Sequence, residues 1–348
     1  MRRASVRLID VAQHAGVSLA TASRVLNGGT NGARPQMRER VLAAAEDLGY
    51  EPNPHARALA GSASMTVGLM VHDVRDAYFS LIASAVVRAA EEHGLFVTIV
   101  NTYRDPAHEA KYIRLLRAQR PRAIILAASG YVSNQNAEPI MAELLRFEEA
   151  GGIVVSIGGH EVGHRINVGN FDGARRLAHR LADQGHREFA VATGRTRLLT
   201  ARDRVEGFLT GLADRGITLA EGAVHQGDIS RDWGREVAAK IATAARPPTC
   251  VFGTFDMIAA GLVAGLQDAD LAVPADISVA GFADVPPAAD ITPALTTVRL
   301  PLDLVGREAL DLAMAQKPHA RRTVTFEGTI IERQSTGPAP VRSTPPPA

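Results

Sequence analysis

Between residues 67 and 282, short runs of apolar residues recur, and most are followed by a stretch whose apolar positions fall at helical spacing. The runs are 67–71, 95–100, 123–127, 153–157, 189–193, 250–253 and 277–282. The helical stretches include 79–93, 107–119, 173–184 and 256–267. An apolar run without alternation is a strand buried on both faces, and such strands belong to parallel sheets covered by helices. Strand–helix alternation of this kind points to an α/β fold, and the number of runs suits two doubly wound lobes. At 348 residues the chain exceeds what one compact core can fill, and its 46 % hydrophobic content is enough for more than one.

The alternation does not extend to the N-terminus. Residues 7–50 carry helical patterns and no strand, so an all-α module is expected over 1–50. Residues 51–64 (EPNPHARALAGSAS) contain two prolines, a brief Ala/Leu/Arg stretch, then Gly and Ser, which is the composition of a linker with one short helix. The two-lobed body is expected over 65–337. A Pro-rich tail (338–348) follows, expected to be disordered and unable to form a further helix. The whole chain carries a net charge of +1, which is silent about partners. The first 62 residues hold eight arginines against five carboxylates, about +3, on a slightly acidic remainder. A small basic module on a neutral body fits phosphate binding.

Within that module, LIDVAQHAGVSLATASRVLN (8–27) has a specific layout. Val11, Ala12 and Ala15 share one face of a first helix. Gly16 stands where a tight turn needs positive φ. Ser18 is suited to cap a second helix, whose inner face is Ala22, Val25 and Leu26. Leu19, Ala20, Ser23, Arg24 and Asn27 are left outward. This is a helix-turn-helix, whose second helix enters the major groove of DNA. Small or apolar residues at 19 and 20 allow close approach and contact with a thymine methyl, and Arg24 can donate two hydrogen bonds to guanine. Thr21, Ser23 and Asn27 suit phosphate oxygens, which position the helix without reading sequence.

DVAQHAGVS followed by TASRVLNG resembles the headpiece of the LacI (lactose repressor)/GalR family of bacterial transcriptional regulators. The resemblance continues in order through residues 37–53, the linker element His55-Ala56-Arg57-Ala58-Leu59, GHREFAV (185–191), RVEGF (204–208), DISVAGF (276–282) and TPALTTVRLP (292–301). It implies an all-α helix-turn-helix headpiece followed by a periplasmic-binding-protein-like α/β domain of two doubly wound lobes. One lobe would hold roughly 65–160 plus 293–322, the other 161–292 plus 323–337. It further implies a hinge helix in the linker that places Leu59 as a wedge in the minor groove. The DNA-contacting set it implies is Leu8, Ser18, Leu19, Ala20, Thr21, Ser23, Arg24, Asn27, Asn53, Ala56 and Leu59. Two features depart from the family pattern. Arg7 stands where Thr or Ser often caps the first helix, and the loop 28–33 is one residue longer than usual.

Open α/β sheets bind ligands at the carboxyl ends of their strands. The resemblance places Tyr78, Phe79, Arg204 and Asp256 around an effector in the cleft between lobes. Gly158, Phe255 and Ala283 stand where relatives often carry polar groups, and Leu198 and Ile229 also fall at pocket positions. A sugar needs many directed hydrogen bonds, so this lining favours an aromatic, acidic or less hydroxyl-rich effector. The alternative for Arg204 and Asp256 is an ion pair with each other in a cleft that senses nothing, with regulation by a protein partner or none. No phosphate loop, nucleophile constellation or metal spacing is present, so neither an enzyme nor a metal or cofactor is expected. Cys250 stands alone, which excludes an internal disulfide. With no signal peptide or apolar span in the sequence, the expectation is a cytoplasmic homodimer on double-stranded operator DNA, without membrane contact.

Overall fold

The computed structural model describes residues 6–26, 34–50, 64–195, 197–315 and 320–341. The chain divides into two compact units, the N-terminal region to Thr66 together with Ala118–Arg122, and the rest of the chain from Val67 onward.

The headpiece has three helices, α1 (Leu8–His14), α2 (Leu19–Leu26) and α3 (Pro35–Leu48). Arg7 supplies no side-chain cap, but its backbone N–H donates to Asp10 Oδ2 at 2.7 Å, so half of a capping box starts α1 without Thr or Ser. Gly16 has φ +60°, and a Cβ there would lie 2.7 Å from the Arg40 guanidinium, which itself donates to the Ala15 carbonyl. Val11, Ala12, Ala15, Ala22, Val25, Val41, Ala44 and Ala45 form the buried core, with half-buried Leu26 packed against it. These side chains are small, so the helices approach closely and three short elements suffice to bury a contiguous interior.

The body contains two parallel sheets. The first takes β1 (Thr66–Val71), β2 (Phe96–Asn101), β3 (Ala123–Ala127), β4 (Ile153–Ile157), β5 (His164–Val168) and β11 (Thr323–Phe326), in the order β11-β5-β4-β3-β1-β2. The second takes β6 (Phe189–Gly194), β7 (Val224–Gly227), β8 (Cys250–Gly253) and β9 (Ser278–Ala280), in the order β7-β6-β8-β9. A two-stranded antiparallel ribbon, β10 (Thr297–Arg299) with β12 (Thr329–Ile331), completes the strands among the described residues. The helices are α4 (Ala77–Glu92), α5 (Pro106–Ala118), α6 (Asn134–Glu149), α7 (Asn170–Asp183), α8 (Leu199–Ala213), α9 (Arg231–Ala242), α10 (Asp256–Asp268), α11 (Pro287–Asp290) and α12 (Leu302–Met314). In each sheet the winding reverses beside a central strand, between β1 and β3 and between β6 and β8, which opens a crevice at the carboxyl ends.

The expected lobe boundaries are corrected at two places. β5 and β11 pair with each other and join the first sheet, so 164–168 and 323–326 belong to the first lobe. β5 alternates buried and exposed residues and β11 is half-exposed, so neither carries the continuous apolar run of a central strand. The segment at Thr296 bridges Ala280 and so stays with the second sheet, beyond the expected return at 293. The expected tail also begins later than residue 338. Ala339 N–H donates to the Gln184 carbonyl at 3.0 Å, and His186 Nε2 meets the Gly337 carbonyl, so body contacts hold this stretch.

Candidate functional site: recognition helix and interlobe cleft

On α2 the helical period separates two faces. Ala22 and Val25 are buried, whereas Leu19, Ala20 and Arg24 are exposed and Ser23 is half-buried. Ser18 caps the helix, with its Oγ accepting from the Thr21 N–H at 3.2 Å and lying 2.8 Å from Thr21 Oγ1. Both hydroxyls are therefore engaged locally, which fixes the first turn of the helix. Arg24 has no hydrogen bond or ion pair with a described residue, so its donors face solvent. Leu8 is half-buried against the headpiece core. Asn27, Asn53, Ala56 and Leu59 lie outside the described residues.

The cleft sits where the carboxyl ends of both sheets converge. Its volume is about 240 Å³. His72 follows β1, Ser129 follows β3, and Gly158 follows β4 with φ +88°, while Phe255 and Phe282 stand beyond β8 and β9. All four residues singled out from the sequence, Tyr78, Phe79, Arg204 and Asp256, line it, and so do Leu198, Ile229, Phe255, Gly158 and Ala283. Asp76 caps α4 by accepting from the Tyr78 N–H at 3.1 Å, and the Tyr78 and Phe79 rings meet edge to face at 5.1 Å. The lobes also touch directly. Leu199 N–H donates to the Gly130 carbonyl and Val132 N–H to the Arg197 carbonyl, both at 2.9 Å, while Thr200 N–H donates to Ser129 Oγ at 3.0 Å. Leu198 and Ala201 are thereby carried into the apolar cluster of the first lobe.

Arg204 and Asp256 do not pair with each other. Arg204 is 1 % exposed, donates from Nε to Asn170 Oδ1 at 2.8 Å and from Nη1 to the Thr254 carbonyl at 2.7 Å. Its guanidinium lies between the rings of Phe255 (4.6 Å) and Phe282 (4.3 Å). Burial lowers its pKa to about 10, so it remains a cation at neutral pH. Asp256 accepts from Thr297 Oγ1 at 2.6 Å and from the Val285 N–H at 2.9 Å. Burial raises its pKa to about 6 against these two hydrogen bonds, which favour the anion. It ties the start of α10 to β10 and to the loop after β9.

Beneath the cleft runs a buried polar chain that the sequence reading did not contain. Ser129 N–H donates to His72 Nε2 at 3.0 Å, which puts the imidazole proton on Nδ1, 3.0 Å from Thr102 Oγ1. Thr102 Oγ1 donates in turn to Glu109 Oε1 at 3.4 Å, and the Tyr131 hydroxyl donates to the same oxygen at 2.7 Å. Glu109 is pushed up to about 7 by burial, and its Oε2 has no partner among the described residues. His72 is held well below its ordinary range, also by burial. His72 could have been flagged as the residue that directly follows a buried strand run, and Asp76 as an N-cap before an apolar helix. Nothing local marks Arg104, whose guanidinium reaches Asp76 at 3.3 Å from the loop after β2. Among the described residues there is no cluster of ligating side chains that could hold a metal, and no helix is long and apolar enough to cross a membrane.

A helix-turn-helix that leaves Leu19, Ala20 and Arg24 exposed, in one chain with a two-lobed α/β body with a central cleft, defines a DNA-binding transcriptional regulator. Residues 7–53 match the bacterial regulatory proteins of the lacI family, and residues 178–336 match the periplasmic binding protein-like domain. The HTH-type transcriptional regulator GalS of Salmonella typhimurium (strain LT2) is 32 % identical over 95 % of this chain and 96 % of its own. The HTH-type transcriptional repressor PurR of Erwinia tasmaniensis is 30 % identical over 96 % and 97 %. Among solved structures, the lac repressor dimer bound to operator and the anti-inducer ONPF superposes with a TM-score of 0.84 at 26 % identity, covering 96 % of this chain and 100 % of that one. The chain belongs to the LacI/GalR family of bacterial transcriptional regulators, and its relatives are regulators, not enzymes.

Proposed function

We propose that the protein is a cytoplasmic repressor that binds a near-palindromic operator as a homodimer and is switched by a small molecule in the interlobe cleft. The observation that carries the reading is the pairing of an exposed, unengaged Arg24 on the recognition helix with a lined cleft at the sheet ends. In this reading 1–50 is the headpiece, 51–64 the hinge-bearing linker, and 65–337 the sensing and dimerising body. Leu19, Ala20 and Arg24 read bases, Thr21, Ser23 and Asn27 position the helix on phosphates, Leu8, Ser18, Asn53 and Ala56 add contacts, and Leu59 wedges the centre of the site. The repressor role is supported by the names of PurR and the lac repressor, and the dimer by the latter's structure on operator. Edge strand β2 leaves Phe96 and Ile99 exposed, 67 % and 40 % respectively, as apolar surface available to a second copy. A ligand switches such a molecule only by binding its DNA-competent and DNA-incompetent forms with different affinity.

The test selects operator sequences from a random duplex library with the full-length protein, then titrates the selected site at fixed salt. A palindromic consensus bound by two chains is the expected result; an asymmetric site bound by one chain would overturn the dimeric reading. Sedimentation of the free protein should give a dimer; a monomer at concentrations that saturate the operator would also overturn the dimeric reading.

A further inference from the structure

The side chains around the cleft offer cationic donors, apolar surface and the hydroxyls of Tyr78 and Thr200, while both carboxylates are engaged. The cations lining it are Arg75, Arg104, Arg204 and Arg231, against the two carboxylates of Asp76 and Asp256. Arg75 pairs with Asp73 and Arg104 with Asp76. Arg231 and Arg204 have no carboxylate within ion-pair distance among the described residues, but Arg231 is exposed whereas Arg204 is buried. Two of its nitrogens are satisfied by neutral oxygens, two aromatic faces cover its plane, and Nη2 has no acceptor among the described residues. A buried charge ordinarily has a paired counter-charge, and cation–π contact offsets only part of the desolvation.

The strongest acceptors that a hydroxyl-rich ligand would use already have donors. Both carboxylate oxygens of Asp256 accept from protein groups, and Asn170 Oδ1 accepts from Arg204. Most of the remaining wall is apolar, with Phe79, Leu198, Ile229 and Phe255 among its side chains. The cleft, at about 240 Å³, lies below the ~300–1,000 Å³ typical of sites for drug-sized ligands.

We infer that the effector is a small carboxylate with a single-ring apolar body, its oxygens taken by Arg204 and its ring laid against Phe79 and the Leu198–Ile229 wall. The inference rests on the reading of the cleft as the effector site. The charge-assisted contact at Arg204 supplies specificity, since an acceptor-bearing but neutral isostere leaves the buried cation uncompensated.

Calorimetry on the full-length wild-type protein with benzoate and phenylacetate, each beside its amide, and with D-glucose as a hydroxyl-rich control, tests this. At least one carboxylate should bind at least tenfold more tightly than its amide and than glucose. That preference should vanish in Arg204→Gln and survive in part in Arg204→Lys; the wild-type comparison stands even if a variant misfolds. Equal binding of acid and amide, tighter binding of glucose, or no binding by either acid overturns the inference. A carboxylate preference that depends on Arg204 but leaves operator affinity unchanged upholds the ligand class and overturns the switching role of the cleft.

Discussion

Arg24 and Arg204 have no carboxylate partner among the described residues, yet one is exposed on the recognition helix and the other is almost wholly buried. Water solvates Arg24, so its lack of a partner costs the fold almost nothing. Arg204 has been taken out of water, which costs several kcal/mol unless compensated, and the body meets it with two neutral acceptors and two ring faces. In the headpiece, then, the residues that face DNA are separable from those that hold the helices together. In the cleft the same atoms serve both ends, because Asn170 and Thr254 belong to the second lobe's framework and to the arginine's setting.

The contrast breaks first at Arg204, where the largest effect is expected. In Arg204→Ala, the ratio of operator affinities with and without a cleft ligand should fall to one, measured by fluorescence anisotropy with phenylacetate as the ligand. A variant that keeps the full ratio at the ligand concentration that suffices for wild type would confine the arginine to a structural role.

The second test concerns a buried carboxylate beneath the cleft, Glu109. Its pKa is raised from 4.5 to about 7 by burial, so the stability its protonated form contributes is complete below pH 4.5 and is lost as pH rises through 7. Glu109→Gln should therefore be more stable than wild type by about 3 kcal/mol at pH 8, with the gap closing by pH 4.5. Denaturant unfolding across that range checks it, and a gap that widens toward acid would show that Glu109 is held as the anion.

Arg24→Ala sharpens the headpiece side of the comparison. It should relax preference at one base pair per half-site by about 1–3 kcal/mol. Thermal stability should change by no more than ~0.5 kcal/mol, as expected of an exposed side chain without partners. Mobility-shift titration on matched and mismatched sites reads the first, and calorimetric melting the second. The smallest effect belongs to Ser18→Ala, which removes the acceptor for the Thr21 N–H and should cost the headpiece about 1 kcal/mol. Amide exchange over the first turn of α2 would report it, and unchanged protection there would refute the cap.

The sequence alone reached the recognition helix because helical period is a local property. Ala22 and Val25 inward with Ala20 and Arg24 outward follows from 3.6 residues per turn and nothing else. The Gly16 turn and Ser18 cap were legible for the same reason, as were the continuous apolar strands such as β3 and β8, which declare burial on both faces. The edge strands β5 and β11 were not, since a half-exposed strand shares its pattern with many loops. Tyr78, Phe79, Arg204 and Asp256 were placed in the cleft by resemblance, but their electrostatics could not be read in advance. Whether Asp256 faced Arg204 or Thr297, and which rings would cover the guanidinium, depend on residues dozens of positions apart in the chain. A sequence determines which side chains are available and which face of an element they occupy. Only the packing of one lobe's strand ends against the other's decides which donors keep a partner, and so what charge the cleft offers to a ligand.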